Sequence, residues 1–287
     1  AGGTLDYSAG IAGPVTVDLT AKTGSGIGGT WNGIAMLIGT AQTSDTITGS
    51  SQTFNMTGAD AGNNGSVNWT SFENINGLAG INSYFGSGGS LSGTIVDAGT
   101  TVTLQGNIQT GGAQTYNGAV TLGADTTLTS TGSGPITIAG ALDSDSTPRN
   151  LTVATSGITT FSGAVGATPL NSLTINGGGT ANINGGSVTT SGAAGQVYNS
   201  AVVLGTDTAL NADSGAITLG ETGSLTTAGL LTTRSGIGQT LVGNGTSSIA
   251  SFNATNTTSG DITLTNNAAP LTITGINQTG GGLFLTN

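Results

Sequence analysis

The segments QTYNGAVTLGADTTLT (residues 114–129) and QVYNSAVVLGTDTALN (residues 196–211) decide the fold, because they are two copies of one module. Ten of their sixteen aligned positions are identical, and the second copy begins 82 residues after the first. Both copies alternate apolar residues with small or polar ones, as a strand with one buried face does. Internal repetition of this kind is typical of solenoids and other repeat architectures.

The composition is that of a β-rich repeat protein and differs from that of an ordinary globular enzyme. Among 287 residues, 53 are glycine, 35% are hydrophobic and only 6% are charged. A mean hydropathy of +0.14 indicates enough apolar surface for a core, which argues against disorder. No segment has the spacing of an amphipathic helix, and we therefore expect almost no helix.

Short apolar segments separated by Gly, Asn, Ser and Thr recur along the chain, as in PITIAG, SLTINGGG and DITLTNN. The second apolar residue of each segment is a candidate core residue: Leu122, Ile138, Val153, Ile175, Val203, Leu219, Leu264 and Ile273. The first three intervals between them are 16, 15 and 22 residues, which suits a coil of roughly 20 residues. We therefore predict an all-β fold, a parallel β-solenoid (β-helix) whose coils stack strand on strand.

Residues 1–98 differ from residues 99–287, and we expect a soft boundary near GTIVDAGTT (residues 93–101). The first part contains both Trp, both Met and three of the six Phe, with longer intervals between its apolar segments. Either it is an irregular, aromatic-richer stretch of the same solenoid, which we favour, or it is a small β-domain. Its large side chains either fill a wider core or form a contact with other subunits: Trp31, Phe54, Trp69, Phe72, Tyr84 and Phe85.

The segment GDITLTNNAAPLTITGINQTGGGLFLTN (residues 260–287) resembles the repeats of filamentous-haemagglutinin-like adhesins, and so do residues 114–129 and 159–178. The resemblance is one of pattern and extends over about residues 99–287. It implies a right-handed parallel β-helix that forms part of a very large bacterial surface protein.

Residues 4–30 and 37–51 resemble segments that flank calcium-binding nonapeptide repeats in such proteins. Those repeats have the pattern GGxGxDxLxx, in which glycine turns and recurrent Asp carboxylates hold calcium between coils. The corresponding GTAQTSDTIT (residues 39–48) keeps Asp45 but lacks the glycines and the companion acids. We therefore expect Asp45 to be a surface residue near a turn and predict no metal site.

Residue types that usually carry catalysis are scarce, because the chain has no His and no Cys. Its only cationic residues are Lys22, Arg149 and Arg234. Titratable residues cluster in LDSDSTPRN (residues 142–150), where Asp143, Asp145 and Arg149 could serve a polysaccharide-processing β-helix enzyme. Such enzymes carry several charged side chains in one groove, so we favour a solvated loop closed by Pro148 and predict no catalytic residue and no cofactor.

Two features of the strand faces have alternative interpretations. Tyr116 and Tyr198 occupy the same place in the two modules, where we expect packing at a corner in preference to ligand binding. Thr-x-Thr pairs occur in TVTLQ, TLTST, ITLT and LTITG, and a flat threonine ladder would suit an ice-binding solenoid. Because no constant interval aligns these pairs in the sequence, we interpret them as ordinary outward-facing threonines.

A net charge of −10 and the absence of a long apolar run lead us to expect no nucleic-acid partner and no membrane insertion. Neither end has an obvious cap, so we expect a segment of a longer protein. With the resemblance, these observations predict a non-enzymatic, secreted or cell-surface segment that forms an adhesive rod or fibre. Its expected partners are further copies, neighbouring domains and surface glycans. The alternatives are the polysaccharide-processing enzyme and the ice-binding solenoid.

Overall fold

The computed structural model describes residues 2–268 and 270–287, and these residues form strands and turns with no helix. Parallel strands stack in coils of about 22 residues, about ten coils in all, so the predicted β-solenoid is confirmed. The chain divides into two compact units, residues 1–136 and 137–287, which are described separately.

The strands of unit 1 (residues 1–136) are short in its first half and longer in its second half. They are β1 (Gly3–Asp6), β2 (Thr16–Asp18), β3 (Thr23–Gly24), β4 (Ile34–Ile38), β5 (Thr46–Gly49), β6 (Thr53–Gly58), β7 (Ala61–Asn63), β8 (Asn68–Thr70), β9 (Asn74–Gly77), β10 (Ile81–Gly86), β11 (Ser90–Leu91), β12 (Ile95–Asp97), β13 (Thr101–Thr110), β14 (Gln114–Tyr116) and β15 (Ala119–Ser130). Strand β16 (Ile136–Ile138) lies at the boundary of the two units.

Unit 2 (residues 137–287) repeats a more regular pattern. Its strands are β17 (Leu142–Ser144), β18 (Asn150–Ala154), β19 (Ile158–Phe161), β20 (Val165–Asn176), β21 (Thr180–Ile183), β22 (Ser187–Tyr198), β23 (Ala201–Leu204), β24 (Thr208–Asn211), β25 (Ile217–Leu219), β26 (Ser224–Ser235), β27 (Gln239–Leu241), β28 (Ser248–Asn256), β29 (Ile262–Thr265), β30 (Thr272–Gln278) and β31 (Leu283–Thr286).

In unit 1, strands β2, β5, β9, β12 and β14 stack in parallel, one from each successive coil. Their inward row consists of Val17, Ile47, Ile75, Ile95 and Gln114. The first two intervals are the longest: the antiparallel β2–β3 hairpin lies within the first, and an antiparallel meander, β6–β7–β8, is inserted into the second. Parallel pairing continues across residue 98, since β12 pairs with both β9 and β14. The boundary near residue 98 stays a prediction.

Aromatic rings fill the enlarged coils of unit 1. Phe54 stacks on Tyr84 with ring centroids 5.2 Å apart, and its edge meets Trp69 at 6.4 Å. Tyr84 in turn meets Tyr116 edge to face at 5.7 Å. All four side chains are buried, and such pairs add stability beyond the area that they bury. The large side chains therefore fill a wider core, as one of the two interpretations predicted.

A short hairpin covers the first coil. Strand β2 pairs with β5 in parallel on one edge and with β3 antiparallel on the other. Next to this hairpin, Tyr7 and Trp31 are buried, and the backbone N–H of Trp31 donates a hydrogen bond to the backbone carbonyl of Lys22. An edge strand that is paired in this way presents fewer open backbone groups. The sequence indicated no cap here, because the hairpin strands are only two and three residues long.

Each coil of unit 2 contributes strands to three parallel stacks. The first stack contains β18, β25, β27, β29 and β31 with the C-terminal parts of β20 and β22. The second contains β19, β21, β23 and the start of β26. The third contains the start of β22, β24, the C-terminal parts of β26 and β28, and β30.

Six of the eight predicted core residues are buried, and two are not. Val203 is 39% exposed because strand alternation directs its neighbours Val202 and Leu204 inward. The sequence AVVL has two adjacent valines, and local pattern alone does not show which of them faces the core. Ile273 is 42% exposed although its register partner Phe252 is buried, because β30 pairs with β28 alone among the described strands.

The repeated module builds the same buried polar contact twice. The hydroxyl of Tyr116 donates to Oε1 of Gln114 at 3.1 Å, and the hydroxyl of Tyr198 donates to Oε1 of Gln196 at 2.9 Å. The Nε2 atom of each Gln donates to two backbone carbonyls. All four side chains are fully buried, so the predicted packing role of both Tyr is confirmed. They lie at strand ends and not in the corners themselves.

We predict that Tyr198→Phe lowers the free energy of unfolding by about 1–3 kcal/mol, because it leaves the buried Oε1 of Gln196 without a donor. Tyr7→Phe is the matched control, since the buried Tyr7 hydroxyl has no hydrogen-bond partner among the described residues. Tyr7→Phe should leave stability unchanged or raise it slightly. Urea unfolding followed by circular dichroism measures both, and equal effects of the two substitutions would contradict the assigned role of the Gln–Tyr contact.

Candidate functional site

The acidic segment with Asp143 and Asp145 is held by structural contacts. Arg149 forms a bidentate ion pair with Asp145, with Nε–Oδ1 at 3.0 Å and Nη2–Oδ2 at 2.7 Å. This hydrogen-bonded guanidinium lowers the pKa of Asp145, which keeps the carboxylate ionised. Asp143 Oδ1 accepts a hydrogen bond from the backbone N–H of Thr168 at 2.8 Å. Each of the two carboxylates thus has a hydrogen-bond partner within the fold.

Asp45 is fully buried, so the prediction that it is a surface residue is wrong. Its Oδ1 accepts a hydrogen bond from the Val15 N–H at 2.8 Å, and its Oδ2 accepts from the N–H and hydroxyl of Thr40. Its own N–H donates to Oε2 of Glu73 at 2.9 Å. Asp45 is buried because its carboxylate satisfies backbone N–H groups from two segments that lack strand partners there. Both carboxylate oxygens are already engaged by these donors.

A surface cavity of about 360 Å³ lies next to this network and is lined by Thr40, Asp60, Glu73 and Ser92, among others. Asp60 Oδ1 accepts a hydrogen bond from the Ser92 N–H. Burial raises the pKa of Glu73, and the nearby charges of Asp45 and Asp60 act in the same direction. Within residues 2–268 and 270–287, no three His, Cys, Asp or Glu side chains are grouped so as to hold a metal ion.

Asp97 is a second fully buried carboxylate of unit 1. It accepts hydrogen bonds from the Tyr84 hydroxyl at 2.6 Å, from Asn82 Nδ2 at 2.8 Å and from the Gly99 N–H at 2.7 Å. Burial raises the pKa of Asp97, while the three hydrogen bonds oppose this effect. Gly77 lies beside it in the stack, where a Cβ atom would collide with the carboxylate and the Tyr84 hydroxyl. The glycine thus makes room for a polar cluster inside the coil.

We predict that unit 1 becomes more stable when the pH is lowered from 7.5 toward 4.5, the ordinary pKa of a glutamic acid side chain. The raised pKa values of Glu73 and Asp97 mean that the folded state holds their protons to a higher pH than the unfolded chain does. Their stabilising contribution is therefore complete below the unfolded pKa and is lost as pH rises through the folded pKa. Thermal melts across this range measure the effect.

Glu73→Gln should raise the melting temperature at pH 7.5 and weaken the pH dependence, since a Gln side-chain oxygen can still accept the Asp45 N–H. The exposed Glu221 of unit 2 supplies the matched control, Glu221→Gln. A Glu73→Gln variant whose pH dependence equals that of the unchanged chain would contradict the assignment.

Threonines form a row on the outer face of the first stack of unit 2. The strand register aligns six positions: Thr152, Thr174, Val197, Thr218, Thr240 and Thr263. Successive positions are 21 to 23 residues apart. This row does not change the expectation that the Thr-x-Thr pairs fail to line up, since the pairs of ITLT and LTITG lie on two different stacks. Strands about 4.8 Å apart bring five hydroxyl groups into one row, which Val197 interrupts between Thr174 and Thr218.

The aromatic residues of the first part do not form a contact surface. Trp31, Phe54, Trp69, Phe72 and Tyr84 are buried inside unit 1. The alternative in which these side chains join subunits is therefore wrong for these five. Phe85 is the exception, because alternation along β10 places it on the outer face, where it is only half-buried.

The last described coil leaves part of its inward row open. Leu283 and Leu285 are the register partners of the buried Ile262 and Leu264, yet they are 46% and 36% exposed. Phe284, on the outer side of the same strand, is 55% exposed. Among the described strands, β31 pairs with β29 only.

No family model matches the chain, and neither the curated proteins nor the solved structures contain a match. In the part of the chain that the structure describes, no helix is long and apolar enough to cross a membrane.

Proposed function

We propose that this chain is a non-enzymatic structural and adhesive segment of a large secreted bacterial cell-surface protein. It forms part of an extracellular rod or fibre and acts by presenting long β-faces and by associating with further copies or neighbouring domains. Surface glycans are its expected external partners, and nucleic acid is not among them.

The observation that carries this proposal is the parallel β-solenoid itself, in which coils of about 22 residues join one another by backbone pairing. The last described coil is where a further coil, from the same protein or from another copy, can continue this pairing. There Ile273, Leu283 and Leu285 continue inward rows that are buried in the preceding coils. An open strand edge can accept another strand through backbone hydrogen bonds, and the exposed apolar row adds burial to this pairing. The chain has only three cationic residues, so ion pairs cannot be the main contacts in such an assembly.

We predict concentration-dependent self-association that persists when salt is raised from about 0.1 M to about 1 M, where the Debye length falls from about 10 Å to about 3 Å. Sedimentation velocity of the 287-residue chain measures it. Leu285→Lys should reduce association, because it places a charge in the open apolar row. Val203→Lys is the matched control, since Val203 is similarly exposed but lies on the outer face of an inner coil.

Dissociation by salt alone would show that electrostatic contacts dominate and would contradict this mode of assembly. An equal loss of association in the Leu285→Lys and Val203→Lys variants would show that the open edge is not the contact.

Ice binding is a second candidate function, favoured by the threonine row of unit 2, in which five of six positions are threonine. If the chain binds ice, we expect it to show thermal hysteresis and to inhibit ice recrystallisation. Thr218→Lys would abolish both effects, because it shortens the uninterrupted run of Thr218, Thr240 and Thr263, whereas Thr226→Lys on the second stack would not. Absence of thermal hysteresis in the unchanged chain would rule out this candidate and leave the structural function in place.

A further inference from the structure

Four side chains form a row across the outer face of unit 1. In strand register, Asn63 on β7 faces Asn55 on β6, Asn55 pairs with Phe85 on β10, and Phe85 pairs with Gln105 on β13. Each directly follows a buried residue of its strand (Phe54, Gly62, Tyr84 and Leu104) and therefore points to the opposite, outer face. The row places one aromatic ring between amide side chains on either side. At about 4.8 Å per strand, it extends over about 14 Å.

Two cavities meet at Phe85 along this row. One has a volume of about 330 Å³ and is lined by Thr53, Asn55, Asn63 and Phe85, among others. The other, of about 240 Å³, is lined by Phe85 and Gln105 together with Ser87, two glycines and one alanine. Phe85 and Ser87 line both cavities, so the two adjoin at these residues and together are called the groove.

The polar groups of the groove are partly fixed and partly unsatisfied. Asn64, at one end, is held in place because its Nδ2 donates to Gln52 and its Oδ1 accepts two backbone N–H groups. The Oδ1 atom of Asn55 is buried and has no hydrogen-bond partner among the described residues. A buried amide oxygen without a partner costs stability. Rotation of the terminal amide exchanges its oxygen and nitrogen, so either atom can face the groove.

Charge restricts what the groove can bind. No Asp, Glu, Lys or Arg lines either cavity. Amides and hydroxyls both donate and accept hydrogen bonds, which matches the hydroxyl groups of a sugar. An aromatic ring beside them offers a flat apolar surface for the C–H face of a sugar ring. Few polar groups around an apolar platform are typical of small-molecule sites.

We propose that the groove formed by Asn55, Asn63, Phe85 and Gln105 binds a neutral oligosaccharide, with Phe85 stacking on one sugar ring and the amides hydrogen-bonding its neighbours. This inference deepens the proposed adhesive function and rests on it, because it names the ligand class and the place of contact. Lateral contact with another copy of the chain is the competing use of the same face and is an outcome of the test.

The test uses the 287-residue chain and three neutral probes, cellotetraose, maltotetraose and chitotetraose, each titrated to about 10 mM and followed by NMR and calorimetry. At least one probe should bind, and Phe85→Ala should weaken that binding at least about tenfold. Phe284→Ala is the matched control, because Phe284 is an exposed phenylalanine on unit 2 and should leave binding unchanged. Phe85→Trp should keep or strengthen binding, since it retains an aromatic platform.

Asn55→Ala separates a binding role from a structural one. It removes an unsatisfied buried acceptor, so it should weaken sugar binding without lowering the melting temperature.

Failure of all three probes to bind, or binding that Phe85→Ala does not weaken, would overturn the proposal. Loss of self-association in Phe85→Ala would assign the face to contact between copies.

The two proposals fail separately. Sugar binding is read from Phe85, and assembly is read from Leu285, which lie in different units. Assembly that persists without sugar binding would leave the structural function standing and remove only the glycan groove.

Discussion

Parallel backbone pairing between successive coils is the constraint on which the rest of the structure depends. Once one coil pairs with the next, each side chain lies beside the residue at the same position of the neighbouring coil. The residues of one row must therefore fit one another in size and polarity. Ile47, Ile75 and Ile95 form an apolar row. Gly77 is needed in its row because Asp97 and its hydrogen-bond partners occupy the space beside it in the next coil. The interior is thus built from rows and not from isolated contacts.

Buried polar groups extend these rows without breaking them. Gln114 and Gln196 use their amides to satisfy backbone carbonyls and to orient a Tyr hydroxyl two residues later. Asp45 and Asp97 satisfy N–H groups that have no strand partner where the chain turns. Buried polar groups are tolerated when they are hydrogen-bonded in this way. Some of the acidic residues that contribute to the net charge of −10 therefore stabilise the interior by accepting hydrogen bonds from backbone N–H groups.

The two units differ in their outer faces because their coils differ in length. In unit 1, the inserted β6–β7–β8 meander widens the outer face and brings Asn63 and Asn55 beside Phe85. In unit 2, nearly constant coils carry the same position of each coil along one line, which produces the row that contains Thr218 and Thr240. The inserted meander thus creates the groove of unit 1, and the nearly constant coil length creates the threonine row of unit 2. In both units, the pairing of successive coils determines which outer side chains become neighbours.

The sequence by itself determined the all-strand class, the coil length to within a few residues, and the buried role of Tyr116 and Tyr198. These follow from short-range alternation and from direct repetition, which are local properties of the chain. Only the tertiary structure decided that Asp45 is buried, that Val203 faces outward and that Asn55 lies beside Phe85. The physical reason is that neighbours in a stack are separated by a whole coil of about 22 residues. Turns and insertions of variable length set which residues meet, and no local pattern contains that register.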